Sequence, residues 1–329
     1  MAGATAISRT YNILETATDQ SNIPGLWDVI TSNIPTIHYF LDEATMETAP
    51  GDKARFRIYK EEAAATGAGA TQDVVASYID PWTIGEYGFK FIYVPVRLPN
   101  QHIILNAGAN QVVDIVKDTM AVMLRSMIST LGGSVRGIWT ANSNDETEAT
   151  KMTGLPSIVK ASGNATGTTG RIARTSTFWQ NSTTTTAITS FATNGLARYR
   201  EALMNAKRGT DFPNVGVTTQ SQFINYLATF NATTQLHVPI QGERFDVGVP
   251  DVRLYGLRMF PDDNATTDQA RFINTEYLKL MLLANDYLAF SPAMGDVNKD
   301  DTVIRLRFTG NLFCSWLAAQ AVVSGGDTA

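Results

Sequence analysis

Ala54-Arg55-Phe56-Arg57-Ile58-Tyr59 alternates polar and apolar side chains, the period of a half-buried β-strand. Tyr87-Gly88-Phe89-Lys90-Phe91-Ile92-Tyr93-Val94 is a second run, rich in aromatic and β-branched residues. Together they predict a long hairpin within residues 38–100. Its second arm should run out at an edge, because Pro95 and Pro99 donate no ladder hydrogen bond. Between the runs lies Glu61 to Trp82, with Ala63-Ala64-Ala65-Thr66-Gly67-Ala68-Gly69-Ala70 at its tip. A loop of about twenty residues with such small side chains is uncommon in a compact domain and is usually functional. Two strands alone are marginal in water. The hairpin is therefore expected to need a partner surface outside its own domain.

Upstream, residues 1 to about 37 show no sustained period. Trp27, Ile30, Ile34 and Ile37 are apolar anchors among polar residues and prolines, so the segment reads as an arm lying across something else. Downstream, Val112, Val116, Met120, Met123, Met127 and Leu131 recur at three- and four-residue steps, and Val113, Leu124 and Ile128 widen the stripe. This spacing predicts a helix over 109–131. Asn110 is its expected N-cap, Asp114 lies near the positive end of its dipole, and Gly132-Gly133 should supply a left-handed stop. At about 1.5 Å per residue the rod would be roughly 33 Å long. Its methionines read as core filler.

Residues 140–186 are rich in Thr, Ser, Asn and Gly, broken by the turn Gly154-Leu155-Pro156-Ser157-Ile158-Val159 and ending in Thr177-Phe178-Trp179-Gln180-Asn181. Surface loops and short strands are expected there. A second helix, about 187–207, would bury Ile188, Phe191, Leu196, Tyr199, Leu203 and Met204. Lys207-Arg208 forms its basic last turn and Gly209 its stop. Strand signals follow at 214–218, 251–255, 257–260, 277–282 and 303–308, with a short helix through Phe223, Tyr226 and Leu227. Helices and strands mix without regular βαβ alternation, so the fold class is α+β.

Chemistry is conspicuous by its absence. The histidines His38, His102 and His237 stand far apart and form no metal-ligand pair. No nucleophile elbow or phosphate loop is present. Asp296, Asp300 and Asp301 lack the Gly and Glu of a calcium loop and read as a solvated turn. The single cysteine, Cys314, sits in an apolar run and reads as a buried small hydrophobe. Four Asn-x-Thr acceptor patterns, at Asn164, Asn181, Asn231 and Asn264, read as chance in a Thr-rich chain. No catalytic residue, cofactor or metal is expected. No targeting segment and no membrane span is expected either, and a disulfide-free chain fits a reducing cytosol. The net charge is −5 and no basic stripe is visible, unlike a dedicated nucleic-acid binder. Charged residues make up only 17% of the chain, against about 25% for an average soluble domain. A surface so poor in charge is weakly protected against association, so much of it is expected to be covered by other subunits.

The order of these pieces resembles the major capsid (coat) proteins of tailed bacteriophages, with the Hong Kong 97-type capsid fold. The echoes are Gly154 to Val159, Arg174 to Asn181, Asn214-Val215-Gly216-Val217-Thr218-Thr219-Gln220, Phe245-Asp246-Val247-Gly248 and Phe272-Ile273-Asn274-Thr275-Glu276-Tyr277-Leu278. The resemblance implies an N-terminal arm (1–37), an extended β-hairpin loop (38–100) and a peripheral domain (101–209) holding the long spine helix 109–131. It also implies an axial domain (210–300) and a return to the peripheral domain (301–329). Hexamers and pentamers of such subunits would close an icosahedral shell around double-stranded DNA, without sequence-specific binding. The chain lacks the long charged helical N-terminal extension that some relatives carry as a fused scaffold. A separate scaffolding protein, or earlier processing, is implied, with portal or decoration proteins as further partners. The expected location is the virion, assembled in the host cytoplasm.

A shell needs permanent self-complementary contacts, each of about 2,000 Å² or more. Arg55, Arg57, Lys60, Glu61 and Glu62 on the hairpin are the candidate assembly contacts, as intersubunit salt links or as a solvated strand face. Two other readings stay open: an encapsulin-like nanocompartment shell, and an α+β hydrolase or carbohydrate-binding protein.

Overall fold

The computed structural model describes residues 35–41, 46–49, 53–60, 80–105, 115–141, 150–162, 164–229, 252–254, 256–283, 286, 288–291, 294–295 and 300–325. Several expectations lie outside these residues: most of the arm, the loop tip, the cap at Asn110, Asp114, the Phe245–Gly248 echo, His237 and Asp296.

In chain order, α1 (Pro35–Leu41) and β1 (Met46–Ala49) lead to β2 (Lys53–Tyr59) and β3 (Trp82–Gly88). β4 (Lys90–Pro99), α2 (Asn100–Leu105) and the long helix α3 (Ile115–Gly132) come next. The middle of the chain holds α4 (Leu155–Ile158), β5 (Thr168–Thr169), β6 (Ile172–Ala173) and β7 (Ser182–Thr184). It continues with α5 (Leu196–Ala206), β8 (Val215–Thr218) and α6 (Gln220–Ala228). The remaining strands are β9 (Val252–Leu254), β10 (Leu257–Pro261), β11 (Gln269–Ile273), β12 (Leu278–Leu283), β13 (Ala289–Phe290), β14 (Met294–Gly295), β15 (Asp301–Cys314) and β16 (Ala321–Ser324).

Two six-stranded sheets organise the chain. The first is built on β15, whose residues 301–310 pair antiparallel with β4 and whose residues 310–314 pair with β12. β1 adds to β12 in parallel, and β13 and β14 pair with β15. Among the described residues β4 pairs with β15 alone, which suits a strand carrying Pro95 and Pro99. The second sheet runs β7-β16-β11-β8-β10-β9, with β8 buried at every position. The stretch 210–300 supplies strands to both sheets.

The stripe of α3 does what its spacing predicts. Met123, Met127, Ile128 and Leu131 are buried in one core with Ile92, Leu98, Ile304 and Leu306 of the first sheet. The described helix has 18 residues, about 27 Å at the standard rise. Its stop is not the one expected. Neither Gly132 nor Gly133 has a positive φ. Instead the chain turns back close beneath the last turn, where Ile138 donates its N–H to the Leu131 carbonyl at 2.7 Å. Gly137 permits that approach, since a Cβ there would stand 2.0 Å from the Leu131 oxygen.

On the second sheet, α5 and α6 bury Tyr199, Leu203, Phe223 and Tyr226 against Phe272 and Met259. α5 ends sooner than expected, at Ala206, with Lys207 as its C-cap at ψ 130°. Lys207 and Arg208 lie beyond its last turn, and Gly209, at φ +63°, serves the following turn in which Arg208 bridges Asp211. Met204 was expected on the buried face but is 63% exposed. Leu203 takes the inward position, and the stripe drifts past its neighbour.

Two expectations about the hairpin are corrected. The run 87–94 is not one strand. β3 ends at Gly88, whose carbonyl is captured by Asn311 Nδ2 at 2.9 Å, and β4 then starts in the other sheet with Lys90 opposite Gly310. Nor does the whole of 38–100 lack support from its own chain. Phe56 and Tyr87 stack at 5.8 Å, and Phe56 packs on Trp179 and Phe313 at 6.0 and 6.4 Å. Phe56 and Tyr87, two of the inward positions of β2 and β3, find an aromatic floor, so the base of the hairpin is anchored.

Two of the sequence echoes meet in one buried knot. Arg174, with no exposed surface, donates to the Ser157 and Ile158 carbonyls, to Asn164 Oδ1 and Asn181 Oδ1, and to Thr169 Oγ1. Residues 140–186, expected as surface loops, thus hold a polar core, with Trp179 also fully buried and donating Nε1 to the Thr169 carbonyl. Gly154 lies against strand-like backbone: a Cβ would stand 2.1 Å from the Thr140 oxygen. Gly154→Ala should therefore cost roughly 2–3 kcal/mol by overpacking. Urea denaturation of the unassembled chain checks this, and an unchanged midpoint would contradict the tight fit.

Candidate assembly surface

The hairpin has two unlike faces. Ala54, Ile58, Gly85 and Tyr87 point inward and are buried. Arg55, Arg57, Tyr59, Trp82 and Ile84 point outward and are exposed. The register sets Tyr59 opposite Trp82 and Arg57 opposite Ile84. Tyr59 and Trp82 meet edge to face at 5.1 Å, yet remain 48% and 55% exposed, and Ile84 is 58% exposed. Tyr59, Trp82 and Ile84 thus form an open apolar face on a two-stranded ribbon.

The candidate contact residues divide. Arg55 Nε pairs with Glu86 at 3.0 Å, and Lys60 Nζ pairs with Asp80 at 2.9 Å, both within the chain. Arg57 has no ion pair or hydrogen bond among the described residues and stands in the aromatic patch. Glu61 and Glu62 lie outside the described residues. Tyr59, Trp82 and Ile84 were not singled out from sequence. The signal was there: the period-two alternation that ends at Tyr59 resumes in Trp82-Thr83-Ile84.

Glu86 ties the hairpin to the rest of the chain. Besides Arg55 it takes Arg171 Nη1 at 2.6 Å and Lys53 Nζ at 3.7 Å. Arg171 sits at φ +63° beside Gly170 at φ +57°, in the tight turn between β5 and β6, and Glu86 N–H donates to the Gly170 carbonyl at 3.0 Å. The Arg171 hydrogen bond, helped by the charges of Arg55 and Lys53, holds the Glu86 carboxyl below the usual glutamate range against a smaller opposing effect of burial. A lowered folded-state value contributes stability above the unfolded value, and that contribution is lost as pH falls through the folded one. Acidification below the ordinary glutamate range should thus lower the amide protection factors, the exchange rates taken relative to the intrinsic rate at each pH, across β2 and β3. Glu86→Gln should remove that pH dependence. Equal pH dependence in both proteins, read by hydrogen exchange, would contradict the assignment.

Beside the hairpin, Phe91 and Tyr93 are 42% and 47% exposed on the face of β4 that points away from α3. Elsewhere the surface offers little reactive chemistry. Burial pushes the Cys314 thiol up to about 12, so it stays protonated. His102 is exposed. Asn181, one of the Asn-x-Thr sites, is buried and hydrogen-bonded to Arg174. Among the described residues no group of three His, Cys, Asp or Glu side chains could hold a metal ion, and no helix is long and apolar enough to cross a membrane.

No protein-family model and no curated protein matches the sequence. Solved structures do match. The chain is similar to the cyanophage A-1(L) capsid, with a TM-score of 0.61 and 14% identity over 88% of this chain and 92% of that one. It is similar to the capsid of a native GTA particle, with a TM-score of 0.56 and 12% identity over 90% and 91% of the two chains. The chain has the Hong Kong 97-type capsid fold. The holo-SrpI encapsulin complex of Synechococcus elongatus is also similar, with a TM-score of 0.53 and 14% identity over 88% and 87% of the chains. At such identities the capsid fold is carried by packing and topology. The Arg174 knot and the Asn311 clasp lie within it, and the outward hairpin face projects from it.

Proposed function

We propose that this chain is the major capsid protein of a tailed bacteriophage. It assembles as hexamers and pentamers into an icosahedral shell around double-stranded DNA. One observation carries the reading: a capsid fold that presents Arg57, Tyr59, Trp82 and Ile84 on an open ribbon. A neighbouring copy covers that face, together with Phe91 and Tyr93. The arm (1–37) and extended loop (38–100) reach across neighbours, the peripheral domain (101–209 and 301–329) holds the spine helix, and the axial domain (210–300) lies near the capsomer centre. Arg57 is the strongest of the candidate contact residues, because Arg55 and Lys60 already have partners in their own chain.

The shell has a structural role and no catalytic one. The net charge of −5 keeps DNA from sticking to it, since counterion-driven binding needs clustered lysine and arginine. Scaffolding, portal or decoration proteins act with it, and assembly takes place in the host cytoplasm before the shell becomes part of the virion. The likeness to an encapsulin favours one second reading, a compartment that encloses a cargo protein. Negative-stain imaging of the expressed chain should show closed shells or capsomers. Phage DNA inside particles from infected cells supports the first reading, and a co-purifying enzyme inside them supports the second. A compact monomer that binds or hydrolyses carbohydrate overturns both.

A further inference from the structure

A cavity of about 600 Å³ opens between the segment after α4 and the turn joining β10 to β11. Its wall includes Trp139, Lys160, Ser162, Asn264, Thr266 and Arg271. Among the described residues, Lys160 and Arg271 are the charged ones of that wall, and none of them is a carboxylate. Arg271 is 1% exposed. Its Nε reaches the Val159 carbonyl at 3.4 Å, and Nη2 donates to Gln269 Oε1 at 2.5 Å. Nη1 is buried with no acceptor among the described residues. The guanidinium carbon lies 5.5 Å from the centre of the Trp139 ring, whose indole N–H is turned away to Asp262 at 3.1 Å.

Such an arrangement is energetically costly. A guanidinium removed from water needs a counter-charge or a full set of acceptors, and among the described residues Arg271 has neither. Burial accordingly pushes its pKa down to about 9. Lys160 Nζ spends one N–H on the Thr166 carbonyl at 3.0 Å and keeps two. Burial, and then the nearby charge of Arg174, lowers its pKa as well. The nearby carboxylates do not relieve this. Asp262 is engaged by Trp139 and Thr36, and neither Asp263 nor Asp268 contributes to the wall.

We propose that this cavity binds a dianionic oxyanion of the phosphate class. Two cations in the wall match its two charges. The free ammonium protons of Lys160 donate to its oxygens, the hydroxyls of Ser162 and Thr166 lie on the same wall, and the guanidinium of Arg271, whose Nη1 is sealed from solvent, contributes its charge from within the wall. The site stands apart from the hairpin face, so it does not rest on the shell reading.

The test is calorimetric titration of the full chain with inorganic phosphate, in a chloride background free of other oxyanions, with succinate as a dicarboxylate arm. One saturable phosphate site per chain is expected, with succinate weaker. Lys160→Met, at a half-buried position, should weaken binding about tenfold or more while leaving the circular dichroism spectrum unchanged. Arg271→Met should do the same, its methionine occupying the path of the arginine stem. Absence of saturable heat overturns the proposal, because the cavity then holds water only. Succinate binding as tightly as phosphate, or phosphate binding unmoved by Lys160→Met, overturns it equally. A chain that forms shells yet binds no phosphate separates this failure from failure of the capsid reading.

Discussion

Arg174→Met should destabilise the unassembled chain by roughly 3–5 kcal/mol, the scale for breaking a buried charged hydrogen-bond cluster. The reason is the number of acceptors left behind. Ser157 O, Ile158 O, Asn164 Oδ1, Asn181 Oδ1 and Thr169 Oγ1 all accept a hydrogen bond from this one side chain. Each acceptor orphaned away from water costs about 1–3 kcal/mol, less whatever the remaining protein can rearrange to satisfy. Methionine keeps most of the stem volume, so the loss reports on hydrogen bonds more than on a cavity. Arg198→Met is the control. Arg198 pairs only with Glu201 one turn on, both partly exposed, and should shift stability by less than about 0.5 kcal/mol. Urea denaturation followed by tryptophan fluorescence measures both. Comparable losses would show that Arg174 is not the pin joining the Gly154–Val159 turn to the Phe178–Asn181 stretch.

The second large effect concerns assembly and spares the fold. Trp82→Asp with Ile84→Asp should leave the melting behaviour of the free chain nearly unchanged, because both side chains already face solvent. Shell formation should be lost. Buried aromatic anchors at the centre of an interface commonly contribute about 2 kcal/mol or more each, and a closed shell repeats the same contact at every copy. Two carboxylates in that contact would also have to be desolvated, and Arg57, opposite position 84, could pair with one of them at most, a further penalty. Light scattering and negative-stain images of variant and parent, at matched concentration, check the outcome. Shells at the parental yield would remove the hairpin face from the interface.

Much of the architecture was legible because it is written in periodicity. The α3 stripe, the alternation of β2 and the apolar run of β8 each depend on neighbours close in sequence, and each formed as its spacing required. What escaped was decided by contacts across long separations. The break between β3 and β4 depends on Asn311, more than two hundred residues away, taking the carbonyl of Gly88. The stop of α3 depends on Gly137 allowing the returning backbone beneath Leu131, whereas Gly132-Gly133 looked the better signal. Residues 140–186 looked like surface because Thr and Asn usually are. Arg174 turns the same residues into a satisfied polar core. Of the assembly surface, the charged residues drew attention by their type. In the proposed interface their neighbours Trp82 and Ile84 carry more of the contact, and only the strand register shows that they share a face with Tyr59 and Arg57.

The central claim is that the outward face of the hairpin is completed by an adjacent copy. A cryo-EM structure of the assembled particle tests it most directly. The account predicts that Tyr59, Trp82 and Ile84 are enclosed by a neighbouring subunit, with Arg57 meeting an acceptor on it. A closed particle in which this face still looks into solvent would contradict the account.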